Sequence, residues 1–442
     1  MATADSSTNN ISIGLLGFGT VGSNVYSLIN NQAIEIAQAT GTSITVKKIL
    51  VRDVSVPREE APRELFTDNF EDILEDPEIS VVVELIGGIE PAKSFILRAI
   101  DHGKHVVTAN KALISQHGRE IFEAAARQNV EVGFEASVGG GIPVIKALKE
   151  GLVANRIDAI LGIMNGTANY ILNNMTDHGM AFAEVLQDAQ AKGFAEADPT
   201  YDVEGIDTAH KLVILMTMAY GSHVKLSDVS IEGISQIDPI DIEFAREFGY
   251  RIKLLAISKN HGDSVEARVH ATMLPEKHML ANIGGAFNGI QCVGDMVGDV
   301  LLYGLGAGKM PTGSAVVADI VDIARNIVNS AVNRVPALSW LPEKFQAVAI
   351  TPMEHIRGPY YFRITAQDKP GVLSKISGIL GNHGISIESV IQKSREKKGT
   401  VPIVIRTYEA EESAVRKALA EIDALEVCAA KTVKIRIMDD EG

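Results

Sequence analysis

An apolar strand running straight into a glycine turn and then a helix is the feature that most limits how this chain folds. ISIGLLGFGTVGSNVYSLI begins at Ile11 and puts Gly17, Phe18, Gly19, Thr20, Val21 and Gly22 at the turn. The glycines permit a tight turn and close backbone approach, and the helix start offers unpaired N–H groups to a pyrophosphate. In this strand–turn–helix setting the pattern reads as a dinucleotide fingerprint. A second strand, ITVKKILVRD, follows, and folds that prefer NAD place an acid at its end for the ribose hydroxyls. Here Arg52 precedes Asp53, with Arg58 beyond. An arginine suits a 2′-phosphate, which favours NADP, while Asp53 keeps NAD open.

The strand–helix alternation continues through residue 136. SVVVELIGG reads as a buried parallel strand, and PAKSFILRAIDHG as a helix opened by Pro91 and closed by Gly103. HVVTANKALI gives a strand entering Thr108-Ala109-Asn110-Lys111, EIFEAAARQN a helix, and VEVGFEASV a further strand. Ligands of such sheets sit at the carboxyl ends of the strands, where Thr108–Lys111 and Glu135–Gly141 fall.

GFAEADPTYDVEGIDTAHKLVILMTMAYG carries Glu196, Asp198, Asp202, Glu204 and Asp207 ahead of Lys211. Asp198-Pro199 and Gly205 mark a loop before a helix. Asp207 and Lys211 are four apart and share a helix face. A lysine at a crowded acidic loop suits a proton donor, because its pKa responds to burial and neighbours. His210 lies about 100° around the helix from Lys211 and reads as structural.

At 442 residues the chain holds two to three domains. Its net charge of −15 argues against a nucleic-acid partner, which needs a basic patch. Cys292 and Cys428 form no metal or redox motif. The polar opening MATADSSTNN lacks the apolar core of a secretory signal, and no apolar run approaches the roughly 20 residues that span a membrane. A cytoplasmic enzyme is expected.

Six segments together resemble homoserine dehydrogenases, which reduce L-aspartate 4-semialdehyde to L-homoserine with NAD(P)H. They are GFGTVG (17–22), TANK (108–111), EASVGGGIPVI (135–145), NGTANYIL (165–172), GFAEADPTYDVEGIDTAHKL (193–212) and YGLGAGKMPTGSAVVADI (303–320). The resemblance implies that Lys211 is the proton donor and that Lys111 assists beside cofactor and substrate. It assigns Glu196, Asp202, Asp207 and Thr167 to the substrate, whose ammonium group explains the collected carboxylates. It puts Thr108 and Ala109 near the nicotinamide and Gly308 in a glycine loop over the cofactor. It also implies a monovalent-cation site, suited to sodium, at Glu135, Val138, Gly140 and Ile142. Where members often have proline and glycine, this chain has Leu305 and Lys309, and Val56 replaces a lysine that suits a 2′-phosphate. Two rival readings are another reductase of this fold acting on a related oxo or imino substrate, and a non-catalytic dinucleotide sensor.

Residues 138–304 are expected to form an α+β substrate and dimerisation domain, with RIDAILGIMNGTANYIL, SVEARVHATMLP and the runs around 280–300 as strands. The nucleotide domain takes residues 1–137 and 305–335, including a helix over 310–330. A proline-containing linker with the only tryptophan, Trp340, fills 336–359. Beyond it, strand, helix, strand, strand, helix, strand over 360–442 is a ferredoxin-like order and resembles an ACT domain. That resemblance implies an amino-acid effector, by pathway L-threonine, at Asp368, Gly371, Val372 and Asn382, and a homo-oligomer, dimer or tetramer.

Overall fold

Ile11, Ile13, Leu15 and Leu16 are all buried, on both faces of one strand, which requires a sheet covered on both sides. In the computed structural model, which describes residues 10–392 and 399–438, that strand is β1 (Asn10–Leu16). It is joined by β2 (Ser43–Leu50), β3 (Phe66–Thr67), β4 (Ile79–Glu84), β5 (His105–Thr108) and β6 (Val132–Gly133). The six lie in the order β3-β2-β1-β4-β5-β6, every pair parallel. The order reverses between β1 and β4, so their carboxyl ends frame the crevice where a dinucleotide binds in sheets of this kind. The polar opening stretch, apart from Asn10, lies outside the described residues, as do Asp439 and Asp440 at the end of the last expected strand.

By contacts the chain forms two units. The first comprises Met1–Ile160, His210–Ser227 and Asn288–Val348, the second Leu161–Ala209, Asp228–Phe287 and Ala349–Gly442. In the first, helix α1 (Thr20–Asn31) and a helix that returns late in the chain cover the parallel sheet. Val25 and Ile29 of the former and Val316, Ile320 and Ile323 of the latter enter one core with Ile13, Leu15, Val81 and Val83. Burying such side chains contributes about 1.5–3 kcal/mol each.

Four further helices matter to the site: α2 (Lys111–Gln128), α3 (Gly166–His178), α4 (Ile206–Tyr220) and the returning α5 (Lys309–Val328). Three elements differ from the expectation. Helix α2 starts at Lys111 rather than Glu120, because the Asn110 side chain caps it by accepting from Leu113 N. NGTANYIL is helix, not strand: the strand ends at Ile163, and Asn165 caps α3 by accepting from Ala168 N at 2.8 Å. VEVGFEASV keeps only Val132–Gly133 as strand before a 3-10 turn at Glu135–Ser137.

In the second unit, strands Tyr250–Lys259, Arg268–Pro275, Val433–Ile437, Tyr360–Gln367, Thr400–Thr407 and Ile387–Gln392 are neighbours in that order. The last four, with helices Val372–Asn382 and Glu412–Asp423, form the expected ferredoxin-like arrangement over a shared apolar core. Asp241 is fully buried and takes bonds from Tyr361 Oη at 2.8 Å and Arg363 Nε at 2.7 Å. Such a charge is retained only when it is paired.

In the expected linker, Trp340 Nε1 donates to Met218 O at 2.7 Å. Gln346 N donates to Gly221 O at 3.0 Å.

Candidate active site

The nucleotide end of the first unit is built by what glycine lacks. Gly17 takes φ +100°, and a Cβ on Gly22 would fall 2.2 Å from the Gly17 carbonyl oxygen. Only glycine therefore allows α1 to start this close to the strand. Gly19 caps α1, and its missing side chain faces open space. The amides of Thr20, Val21 and Gly22 begin the helix there, which fits a pyrophosphate. Phe18 packs edge-on against Tyr26 and Phe66, anchoring the turn. Asn24 Nδ2 donates to Lys309 O at 2.9 Å, so the loop ending at Gly308 (φ +116°) lies beside α1.

Past β2, Arg58 is committed to the turn: its guanidinium donates to Asp53 O and Val56 O at 2.9 Å each. Asp53 accepts from Ser55 Oγ at 2.6 Å and from Ser55 N at 2.8 Å. The Ser55 hydroxyl, then its amide, holds the Asp53 carboxyl below its usual pKa. Arg52 is exposed. Of the two arginines it is the one presented outward.

At the carboxyl ends of β4 and β5, two buried side chains pair. Thr108 Oγ1 donates to Glu84 Oε2 at 2.6 Å, and Glu84 Oε1 accepts from Ile86 N and Gly87 N. Asn110 N donates to the Thr108 hydroxyl, and Asn110 Nδ2 donates to Gly88 O at 2.6 Å. Ala109 and Lys111, both half-buried, are held in place by this network. Glu84 and Asn110 were not singled out from sequence. The sign was there: a lone acid ending the run VVVE, and an asparagine just before a helix.

Lys211 and His210 on α4 are buried, 6% and 3% exposed. His210 Nδ1 lies 2.5 Å from Ser115 Oγ of α2, within the same unit.

The expected substrate residues divide. Asn165 Nδ2 donates to Asp202 Oδ1 at 2.7 Å and to Asp207 Oδ2 at 2.9 Å, gathering these two acids. Thr167 Oγ1 donates to Phe194 O at 2.7 Å, so its proton pins the acidic loop. Glu196 is exposed on that loop, where its backbone carbonyl accepts from Gln190 at 3.0 Å.

Glu135 is buried, and its two oxygens accept from Ile145 N and Lys146 N at 2.8 Å each. Burial pushes its carboxyl up to about 7. Asp319, which accepts from Glu135 N at 2.8 Å, is pushed up to about 8 by burial and by Glu135. Glu135 is buried and Asp319 half-buried, a nearby positive charge would favour the ionised form of both, and each Glu135 oxygen keeps a second lone pair. Val138 and Ile142 are buried, and Gly140 takes φ +56° against Gly306. Gly141 N donates to Leu305 O at 3.1 Å, while Ile142 O already accepts from Val144 N. Among the described residues no group of three or more His, Cys, Asp or Glu could hold a metal ion. The donor set is hard oxygen and fits an alkali cation.

In the C-terminal module Gly371 (φ +86°) and Asn382 bound the first helix and are exposed. Asp368 is half-buried, and its N–H donates to Gly399 O at 3.1 Å. Val372 points into the core.

Comparison with known proteins decides the family. A homoserine dehydrogenase from Neisseria gonorrhoeae is 46% identical over 429 residues, 97% of this chain and 98% of the relative. The chain belongs to the homoserine dehydrogenase family. Residues 17–135 match the model of that family's NAD-binding domain, 143–321 the homoserine dehydrogenase model and 360–427 the ACT domain. A homoserine dehydrogenase from Pseudomonas aeruginosa is 45% identical, covering 97% of this chain and 98% of the relative. The crystal structure of one from Thiobacillus denitrificans superposes with a TM-score of 0.92 at 47% identity, over 97% of this chain and 98% of that one. One from S. aureus gives 0.75 at 32%, over 97% and 99%. The chain is thus an NAD(P)-dependent oxidoreductase with a parallel nucleotide-binding sheet, a catalytic α/β domain and a C-terminal ACT domain. Among the described residues no helix is long and apolar enough to cross a membrane.

Proposed function

We propose that this chain reduces L-aspartate 4-semialdehyde to L-homoserine, with NADP preferred over NAD. The observation that carries the reading is Asn165 drawing Asp202 and Asp207 together at the start of the helix whose next turn bears buried Lys211. When bound, the reduced nicotinamide supplies the hydride that reaches the aldehyde carbon. Lys211 gives its ammonium proton to the aldehyde oxygen, so one hydride and one proton make the alcohol. Lys111 assists at the same oxygen, and Asp202, Asp207 and Glu196 hold the substrate ammonium by charge. Thr167 keeps the acidic loop in place. Gly17–Gly22, Thr108, Ala109 and Gly308 receive the dinucleotide, and Arg52 its 2′-phosphate.

A sodium ion at Glu135, Val138, Gly140 and Ile142 would hold the 138–142 loop against Gly306 without entering the chemistry. We assign residues 1–137 with 305–335 to the nucleotide domain, 138–304 to the substrate and dimerisation domain, 336–359 to the linker and 360–442 to the ACT domain. The ACT domain confers feedback inhibition by L-threonine, in a cytoplasmic homo-oligomer. The test is absorbance at 340 nm during L-homoserine oxidation at alkaline pH, with NADP and NAD side by side. A homoserine-dependent rise that is faster with NADP supports the reading; no rise with either cofactor overturns it.

A further inference from the structure

Lys111 and Lys211 belong to different helices, and the same hydrogen bond stands beside both. Ser115 lies one turn after Lys111 on α2, and His210 immediately precedes Lys211 on α4. His210 Nδ1 and Ser115 Oγ are 2.5 Å apart, and Ser115 Oγ donates to Ala112 O at 3.1 Å. A hydroxyl has one proton. Ser115 Oγ and His210 Nδ1 share one hydrogen, and the ring tautomer sets which of them donates it. The path runs from His210 through Ser115 to the carbonyl of the residue following Lys111.

Packing beside this bond is sparse. Ser115, Ile114 and Phe122 of α2 and Ile214 and Thr217 of α4 line a cavity of about 370 Å³. Across this cavity the facing side chains of the two helices do not fill the space between them. The hydrogen bond is a direct side-chain link between the two helices beside that cavity.

We propose that Ser115 and His210 are positioning residues: their bond sets the separation of Lys111 and Lys211 so that both reach one carbonyl oxygen. This rests on the roles proposed above for the two lysines. Misplacement of a reacting group by about 1 Å costs on the order of 10²-fold in rate. Breaking the bond should therefore act on kcat and leave KM for L-homoserine near its starting value.

The experiment is steady-state homoserine oxidation by Ser115→Ala, Ser115→Thr, His210→Leu and His210→Asn, with thermal midpoints recorded alongside. Ser115→Ala and His210→Leu should lower kcat by about 10- to 100-fold. Ser115→Thr and His210→Asn, which keep a hydroxyl and a nearby N–H donor, should recover most of it. If Ser115→Ala does not fold, the His210→Leu and His210→Asn pair makes the same comparison. Adding Ser115→Ala to Lys111→Ala should cost little beyond Lys111→Ala alone, because contacting groups acting through one another are not additive. Unchanged kcat in Ser115→Ala, failure of both conservative variants to rescue, or fully additive losses each overturn the proposal. Lys111→Ala and Lys211→Ala, run in parallel, separate this from the underlying reading. Full activity in those two variants removes the lysine roles themselves, whereas lysine dependence with inert Ser115 removes only the positioning role.

Discussion

The side-chain amide of Asn165 donates to Asp207 at 2.9 Å while its second hydrogen reaches Asp202 at 2.7 Å. Its carbonyl oxygen meanwhile caps α3 through Ala168 N. One residue thus starts a helix and holds two carboxylates at one spacing. Asn165→Ser keeps the capping oxygen and removes the bridge, and serine is nearly as good a cap as asparagine. The expected outcome is a rise in KM for L-homoserine of about tenfold, equivalent to about 1.4 kcal/mol of binding. The thermal midpoint should stay close to that of the unaltered protein. A lower midpoint with unaltered KM would show that the bridge serves folding alone.

Lys211 is buried one turn from Asp207 on α4. On the proposed role as proton donor, its replacement by alanine should lower kcat by about 10²–10⁴-fold, the range for loss of general acid catalysis. Lys211→Arg keeps the charge but gives up its proton at no accessible pH, so it should rescue little. Single-turnover rates with saturating cofactor measure both variants. Near-normal turnover in Lys211→Ala removes the assignment.

Arg58 is occupied with the carbonyls of Asp53 and Val56, while Arg52, the residue proposed for the 2′-phosphate, is exposed. Arg52→Ala should raise KM for NADP by about tenfold, since charge-assisted hydrogen bonds contribute about 1.5–3 kcal/mol. KM for NAD should barely move. Equal changes for the two cofactors would place Arg52 outside the phosphate site. Val56→Lys restores the side chain that the resembling family often carries, and should lower KM for NADP.

What the sequence disclosed and what it hid follow from range. The turn at Gly17–Gly22 was legible because its cause is local: Gly22 must pass within reach of the Gly17 carbonyl. The ferredoxin-like order of the C-terminal module was legible from alternating apolar periods. The start of α3 was missed because AILGIM continues an apolar run up to Asn165, and the cap at Asn165 outweighs that run. The start of α2 was missed although Asn110 stands where a cap belongs. Pairings such as Glu135 with Asp319, Ser115 with His210 and Thr108 with Glu84 join distant segments. No local pattern encodes them.

His105 gives a stability prediction with a definite sign. Its ring is buried, and Nδ1 accepts from Glu131 N at 3.0 Å, which requires that nitrogen to be unprotonated. Burial lowers its pKa from 6.5 to about 4. Between those values the unfolded chain binds a proton that the folded chain refuses, so stability falls as pH drops from 6.5 towards 4. The loss reaches on the order of 3 kcal/mol, from 1.36 kcal/mol per pKa unit. His105→Asn retains an acceptor near Nδ1 and cannot titrate. Denaturant unfolding of both proteins at several pH values should show the variant losing less stability on acidification, with the gap opening below pH 6.5. Parallel curves across that window would mean that His105 keeps its ordinary titration in the folded chain.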